Sequence, residues 1–101
     1  MQLGKLVRDR IPEIIKKKGK VAITHIALES EYWEKLKQKF KEEVEEYLKD
    51  ENEEELADVL EIIEAIIELK KIDKNKLEST RKQKNKENGS FKARIILEEV
   101  K

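Results

Sequence analysis

The chain has 101 residues, of which 46% are charged and 38% are apolar. This length supports a single domain with one modest core. The 23 Lys and Arg residues balance the 23 Asp and Glu residues, so no net basic field exists to recruit nucleic acid. Such dense mixed charge with only 3 Gly and 1 Pro favours helices.

Several classes of protein are disfavoured by what the sequence lacks. There is no cysteine, which excludes disulfides, thiolate metal sites and a cysteine nucleophile. A single histidine disfavours a histidine-rich zinc site within one chain. No run approaches the roughly 18 apolar residues of a membrane span, and the opening MQLGKLVRDR lacks the apolar core of a signal peptide. We therefore expect a cytoplasmic protein with neither a membrane nor a nucleic-acid partner.

The first third of the chain predicts a short helix followed by an extended segment. Residues 1–10 are basic, and Pro12 is typical of the first turn of a helix, here IPEIIKKKG ending near Gly19. VAITHIAL, at 21–28, is rich in β-branched residues and has no helical spacing. It predicts an extended segment or a short strand.

Two long helices follow. Ser30 is a candidate N-cap for a helix that runs to about Lys49, and the DEN at 50–52 interrupts it. A second long helix is predicted from about Glu53 to Lys70. The short connection between the two makes them neighbours in the fold.

A further helix and a β-prone segment complete the chain. Asp73 is a candidate cap for a helix to about Lys86, and ENGS then forms a turn. FKARIILEE, at 91–99, is expected to pair with 21–28. We predict one domain, 1–101, that is mainly α: an antiparallel helix bundle with a small two-stranded β element.

The first long helix has an apolar stripe with one acid at its margin. At ~100° per residue, six residues cluster on one side: Trp33, Leu36, Phe40, Val44, Tyr47 and Leu48. Glu42 and Glu45 project away from them and are expected to be solvated. Glu43 lies at the margin of the stripe, and Glu46 follows one step further round.

The second long helix has an acid inside its apolar arc. That arc is wide: Leu56, Val59, Leu60, Ile62, Ile63, Ile66, Ile67 and Leu69. Most glutamates lie opposite: Glu54, Glu61, Glu64 and Glu68. Glu55 instead falls within the arc, and Asp58 lies at its edge on the same side. A buried carboxylate must be neutralised by a base, a proton or a metal ion.

Two acidic pairs on facing helices would place four carboxylates around one space. Acids three residues apart on a helix are neighbours, and mutual repulsion among four of them favours a hard divalent cation. Oxygen ligands without Cys or His indicate Mg²⁺ or Mn²⁺. The competing interpretations are a buried pair between Glu55 and a lysine, or a contact in an oligomer, because E-x-x-E spacing alone is common in so acidic a chain.

The segment KFKEEVEEYLKDENEEELADVLEII resembles the motif of the all-α nucleoside triphosphate pyrophosphohydrolases, the MazG-like group. The pattern is E-x-x-E, a spacer, then E-x-x-D, and the resemblance makes Glu43, Glu46, Glu55 and Asp58 the catalytic metal ligands. The opening KLVRDRIPEIIKKKG and the closing RKQKNKENGSFKARIIL are similar to a small phosphoribosyl-ATP pyrophosphohydrolase-like branch, so the resemblance covers nearly the whole chain.

Two departures from the family pattern concern the spacer and the closing turn. Only eight residues separate Glu46 from Glu55, fewer than usual in the family. Asn88-Gly89-Ser90-Phe91 stands where the family usually resembles R-G-G-F, so a basic contact at position 88 is missing. These changes leave the metal motif intact and put substrate contacts in question.

The resemblance implies Mg²⁺-dependent hydrolysis of a nucleoside triphosphate to the monophosphate and pyrophosphate. Metal ions bridge phosphate oxygens and lower the pKa of water, and a free carboxylate takes its proton. Two alternatives remain open. One is a non-catalytic helical oligomerisation or interaction module that retains the motif, and the other is a phosphoribosyl-ATP pyrophosphohydrolase.

Substrate contacts are also implied. Lys5 and Arg8 suit phosphate binding, with Asp9 orienting Arg8, and Arg81 and Lys84 share a helix face at i, i+3. The alternative interpretation of each of these cationic side chains is that it is a solvated surface group that binds no phosphate.

One aromatic residue and the wide apolar arc suggest further contacts. Trp33 could stack on a base, although an aromatic residue in an apolar stripe more often belongs to the core. The arc of the second long helix is too wide for one partner helix in so small a domain. It predicts a homo-oligomer, a dimer or tetramer, with the site between helices.

Overall fold

Four helices make up most of the part of the chain, residues 4–101, that the computed structural model describes. They are α1 (Ile11–Lys17), α2 (Glu29–Asp50), α3 (Glu53–Leu69) and α4 (Lys74–Asn88). The prediction of a mainly α protein is confirmed, and the bounds of the long helices fall close to those expected.

Side-chain caps fix the starts of α3 and α4. The Asn52 side chain accepts a hydrogen bond from the Glu55 backbone N–H at 2.9 Å. Asp73 does the same for the N–H groups of Asn75 and Lys76, at 2.8 and 3.2 Å. Both caps satisfy donors that the first turn of a helix leaves free. The predicted cap at Asp73 is therefore confirmed.

The start of α2 differs from the prediction. Ser30 lies inside the helix, and the N-cap position belongs to Leu28, whose side chain cannot accept a hydrogen bond. The chain is extended at Leu28 and becomes helical at Glu29, so α2 begins one residue before Ser30. The other end stops at Glu51, whose left-handed φ of 54° turns the chain toward α3.

The packing of α2 against α3 forms the core. The two helices are joined by Glu51 and Asn52 alone and form the only extensive helix–helix contact between residues 4 and 101. Their apolar stripes meet there, and Leu36 and Ile67 are the buried apolar side chains. The core is consequently a two-helix hairpin, which is small for a domain of this length.

The third helix of the predicted bundle does not lie beside this pair. An ion pair between Lys74 and Glu64, at 2.6 Å, ties the start of α4 to α3. Beyond it, α4 is exposed throughout. Its sequence, KNKLESTRKQKNKEN, explains this, because Leu77 is its one apolar residue and no stripe exists to bury. The bundle beyond the hairpin is not confirmed.

The predicted β element is not seen: no strand forms within residues 4–101. The segments 21–28 and 91–98 both lack regular structure, and Arg94 has a left-handed φ of 58°. Because α4 does not return to the hairpin, it does not carry the second segment back to the first. Each segment is left without a pairing partner among residues 4–101.

The N-terminal segment lies along the hairpin. Lys5 Nζ contacts Glu42 Oε1 at 2.5 Å on α2, and Arg8 Nη2 donates to Asp58 Oδ1 at 2.8 Å on α3. These two ion pairs place residues 5–10 beside the acids of both helices. None of the helices described is both long and apolar enough to cross a bilayer.

Candidate metal centre

The hairpin brings three of the four predicted acids together. Carboxylate oxygens of Glu43 on α2 and of Glu55 and Asp58 on α3 all lie within 4.8 Å of one another. We call these three residues the inner acid group. It contains one member of the E-x-x-E pair and both members of the E-x-x-D pair.

The fourth acid belongs to a neighbouring group. Glu46 lies with Asp50 and Glu55, again with oxygens within 4.8 Å of one another. We call these three the outer acid group, because Glu46 and Asp50 are exposed. Glu55 belongs to both groups and is therefore the residue on which the arrangement depends.

Glu43 is more deeply placed than its position in the sequence indicated. Its residue is only 8% exposed, although projection put it at the margin of the stripe. Lys39 lies one turn earlier on α2, and its Nζ is 3.1 Å from Glu43 Oε1. Because a buried carboxylate is costly without compensation, this lysine supplies the charge that allows Glu43 to face α3.

Glu55 sits in the first turn of α3, where the helix dipole favours a negative charge. Its side chain is half-buried. Partial loss of solvation raises the pKa of Glu55, and the negative charges of Asp50, Asp58, Glu46 and Glu43 raise it further. No described basic residue forms an ion pair with Glu55, so a buried pair between Glu55 and a lysine is not found.

Asp58 is held by the N-terminal segment. Arg8 reaches it across the hairpin, and both side chains remain partly exposed, at 58% and 39%. Asp9 was expected to orient Arg8, but Arg8 is held by Asp58 instead. This differs from the prediction because the segment runs close enough to α3 for Arg8 to reach a helix acid directly.

The donor set suits a hard divalent cation. All the ligand atoms are carboxylate oxygens, which Mg²⁺ and Mn²⁺ prefer. Oxygens on opposite sides of a Mg²⁺ ion are separated by about 4.2 Å, twice the usual metal–oxygen distance. The oxygens of the inner acid group lie within 4.8 Å of one another, a separation of the same order, so these acids could hold a metal ion.

A cavity of about 960 Å³ lies between the N-terminal segment and the hairpin. Half of the predicted site residues line it: Lys5, Arg8, Asp9, Glu43 and Asp58. The cavity therefore brings cationic groups and two acids of the inner acid group to the same space.

Lys5 and Glu42 form the ion pair at one edge of this region. Their contact raises the pKa of Lys5 and lowers the pKa of Glu42, mainly through the hydrogen bond between them. Glu42 was expected to be solvated, yet it is half-buried and paired. The prediction is wrong because projection along one helix does not include the segment that crosses it.

Trp33 is half-buried near the open end of the hairpin, away from the cavity lining. Lys70 Nζ lies 4.0 Å from the centre of its ring, and Lys37 Nζ lies 5.2 Å away. Such cation–π contacts stabilise an aromatic ring at a surface. In this arrangement the ring faces lysines, so stacking on a base would require Lys70 to move.

Arg81 and Lys84 lie on exposed α4 and do not line the cavity. Arg81 instead pairs with Glu78, one turn earlier on the same helix. The structure therefore does not bring these two residues to the acids of their own chain.

Three residues at this site were not identified from the sequence. The sequence indicates Asp50 only as part of the segment that interrupts a helix, although it lies one turn after Glu46 on the same face. Lys39 precedes Glu43 by one turn, and i, i+4 spacing of opposite charges was the available signal. Tyr32 lines the cavity, and burial raises the pKa of its hydroxyl; no sequence signal distinguished it.

Neither a family model, nor a curated protein, nor a solved structure matches this chain. The geometry of the acids and the residues around them must therefore carry the functional interpretation.

Replacing Arg8 with alanine is expected to tighten Mg²⁺ or Mn²⁺ binding about two- to fivefold, since an exposed ion pair is worth roughly 0.5–1 kcal/mol. The reason is that Arg8 competes with a cation for Asp58. Isothermal titration calorimetry of the metal alone would measure the change. Arg10→Ala is the matched control, because Arg10 forms no ion pair within residues 4–101. Weaker binding by the Arg8→Ala variant would contradict this competition.

Glu55→Gln is expected to raise the Tm of the cation-free chain at neutral pH and to lose this advantage in acid. Because the folded-state pKa of Glu55 is raised, the folded chain holds this proton more tightly than the unfolded chain. Stability therefore falls as pH rises from near 4.5 through the raised pKa. Melting curves with a chelator, from about pH 4 to about pH 8, would measure it. Exposed Glu54→Gln should show no such trend.

Proposed function

We propose that the chain hydrolyses a nucleoside triphosphate to the monophosphate and pyrophosphate in the presence of Mg²⁺. The observation that carries this proposal is the convergence of Glu43, Glu55 and Asp58 from two helices. The resemblance of the same residues to the MazG-like motif supports it. Neither the substrate nor the metal identity follows from the acids alone, so both belong to the proposal.

The inner acid group would hold the cation, and Glu46 with Asp50 would extend the site outward. A bound divalent cation neutralises phosphate charge and lowers the pKa of a water molecule. The water oxygen would bond to the α-phosphorus. The bond between that phosphorus and the oxygen that bridges to the β-phosphate would break, and pyrophosphate would leave with the bridging oxygen. One carboxylate that is not fully engaged as a ligand accepts the proton of the water.

The cations of the cavity would bind the phosphates. Arg8 lies 2.8 Å from Asp58, so a triphosphate placed at the acids is within reach of its guanidinium. Lys5 lies at the same edge, paired with Glu42. Both ion pairs are partly exposed and weak, so a polyanionic substrate can replace the carboxylates as the partner of these cations.

The test is pyrophosphate release from a panel of nucleotides. The panel contains standard and non-standard nucleoside triphosphates and phosphoribosyl-ATP, each with Mg²⁺, with Mn²⁺ and with a chelator. We expect cation-dependent release with at least one substrate, and the preferred substrate distinguishes general nucleotide hydrolysis from the phosphoribosyl-ATP reaction. No release from any substrate with either metal would overturn the proposal.

A non-catalytic helical module is the second candidate. It is favoured by the ion pairs that already compensate two of the acids, Lys39 with Glu43 and Arg8 with Asp58. If these pairs are structural, Mg²⁺ has no reason to bind. This candidate predicts that millimolar Mg²⁺ leaves the Tm unchanged, whereas the pyrophosphohydrolase predicts an increase.

A further inference from the structure

The cavity beside the hairpin continues well beyond the inner acid group. Two stripes of cavity-lining residues extend from these acids, one on each long helix: Glu43, Lys39, Leu36 and Tyr32 on α2, and Asp58, Ile62, Ala65 and Leu69 on α3. Successive members of each stripe are three or four residues apart, so each stripe follows one face of its helix. Because each stripe spans eleven residue positions, the cavity wall extends about 16 Å along the helix axes.

The end of the cavity around Tyr32 and Leu69, which we call the distal end, has an apolar floor. Four cavity-lining side chains form this floor: Leu36, Ile62, Ala65 and Leu69. Leu36 is only 1% exposed, so the floor belongs to the core of the hairpin. The cavity volume of about 960 Å³ falls within the range of about 300–1,000 Å³ that is usual for small-molecule sites. An apolar floor of this kind is typical of the part of such a site that takes a flat, weakly hydrated group.

Three polar side chains line the distal end: Tyr32 on α2, Glu68 on α3 and Asp9 of the N-terminal segment. Partial burial raises the pKa of the Tyr32 hydroxyl, and the negative charges of Glu68 and Asp9 raise it further. Both carboxylates therefore lie near this hydroxyl. Arg10 also lines the cavity, but its charge is not among those that shift the pKa of Tyr32. The hydroxyl stays protonated at neutral pH and can donate a hydrogen bond, whereas the two carboxylates can only accept.

We propose that the distal end binds the base of the substrate and selects adenine or cytosine, which carry an amino group beside a ring nitrogen that accepts a hydrogen bond. The inference rests on the proposed function, which places the phosphates at the inner acid group. The amino group offers one N–H to each carboxylate, and the ring nitrogen accepts from the Tyr32 hydroxyl. Uracil and hypoxanthine carry a carbonyl oxygen in place of the amino group, so at least one carboxylate would lose its donor.

The order of groups along the cavity matches the order of parts in a nucleotide. Lys5 and Arg8 lie at the end with the acids, where phosphates and a cation would bind, and the apolar floor begins beyond them. Trp33 follows Tyr32 in the sequence, but its ring lies outside the cavity lining and faces Lys70. Tyr32 is consequently the aromatic residue that is placed to contact a base in this cavity.

Binding of nucleoside monophosphates, measured by isothermal titration calorimetry of the full chain with Mg²⁺, tests the selection without requiring hydrolysis. The probes form two pairs, AMP against IMP and CMP against UMP. We expect AMP and CMP to bind about tenfold more tightly than their partners, because the partners lose a hydrogen bond to a charged acceptor. Equal affinity within both pairs, tighter binding of IMP and UMP, or no binding of any probe at millimolar concentration overturns the proposal.

Glu68→Gln should reduce the preference within each pair to less than about threefold, because glutamine removes a charged acceptor and can itself donate to a carbonyl. Glu61→Gln is the matched control. Glu61 lines the same cavity about two turns closer to the inner acid group, and its variant should retain the wild-type preference. Equal loss of preference in both variants would indicate a general effect of cavity charge and would overturn the role of the distal end. Circular dichroism of both variants checks that the helices are retained.

Failure of this inference is distinguishable from failure of the proposed function. A chain that prefers AMP to IMP but releases no pyrophosphate from any nucleotide has the base site and lacks the hydrolytic activity. A chain that releases pyrophosphate equally from ATP and ITP, and binds AMP and IMP equally, has the activity and lacks the selection.

Discussion

Glu55→Gln is expected to lower cation-dependent pyrophosphate release at least about a hundredfold, because even partners outside the ligand shell are worth 10- to 100-fold at metal sites. Glutamine keeps the size of the side chain and removes its charge. Glu55 is the one acid shared by the inner and outer groups, so this single change weakens both. The rate with the best substrate of the nucleotide panel measures the effect.

The control for this variant is Glu54→Gln, one residue earlier on the exposed face of α3. It makes the same chemical change outside both acid groups, and its activity should match that of the wild type. A Glu55→Gln variant with half of the wild-type activity would remove Glu55 from the mechanism. Metal titration of the two variants then separates lost binding from lost turnover.

Leu36→Ala is expected to destabilise the fold by about 3 kcal/mol, the usual cost of truncating a fully buried leucine. Leu36 is 1% exposed and lies in the α2–α3 contact. Small domains have only about 5–15 kcal/mol of stability, and the core here is a single hairpin. Urea denaturation followed by circular dichroism would measure the change.

Leu48→Ala is the matched control on the same helix, because Leu48 is 68% exposed. It should change stability by less than about 1 kcal/mol. A similar loss of stability in both variants would show that the core extends to the C-terminal end of α2. The contact around Leu36 would then not dominate the stability.

The hairpin was predictable because each of its long helices carries an apolar stripe. The same stripes located Glu55 and Asp58 on the face that meets α2. The depth of Glu43 was not predictable, since ideal projection of one helix omits the angle at which its partner crosses. The ion pair of Arg8 with Asp58 also depends on the path of the N-terminal segment, whereas the pair of Lys39 with Glu43 lies within α2 at i, i+4 spacing.

The sequence also did not predict where α4 and the β-prone segments lie relative to the hairpin. α4 has good local helix signals, including the Asp73 cap, but local signals do not state what a helix packs against. The β-prone residues of 21–28 and 91–99 were recognised, yet β pairing requires a partner at a distance in the sequence. Nothing in either segment indicates whether that partner lies in the same chain. The positions of Arg81 and Lys84 relative to the acids were not predictable either, because both residues lie on α4.

The two-residue connection at Glu51 and Asn52 makes the acid groups local in the chain. Every acid of both groups lies within 43–58, a span of 16 consecutive residues. Closing so short a loop costs little entropy, and contacts between near neighbours form early in folding. The acid groups can therefore assemble as soon as the hairpin closes, without waiting for any other part of the chain.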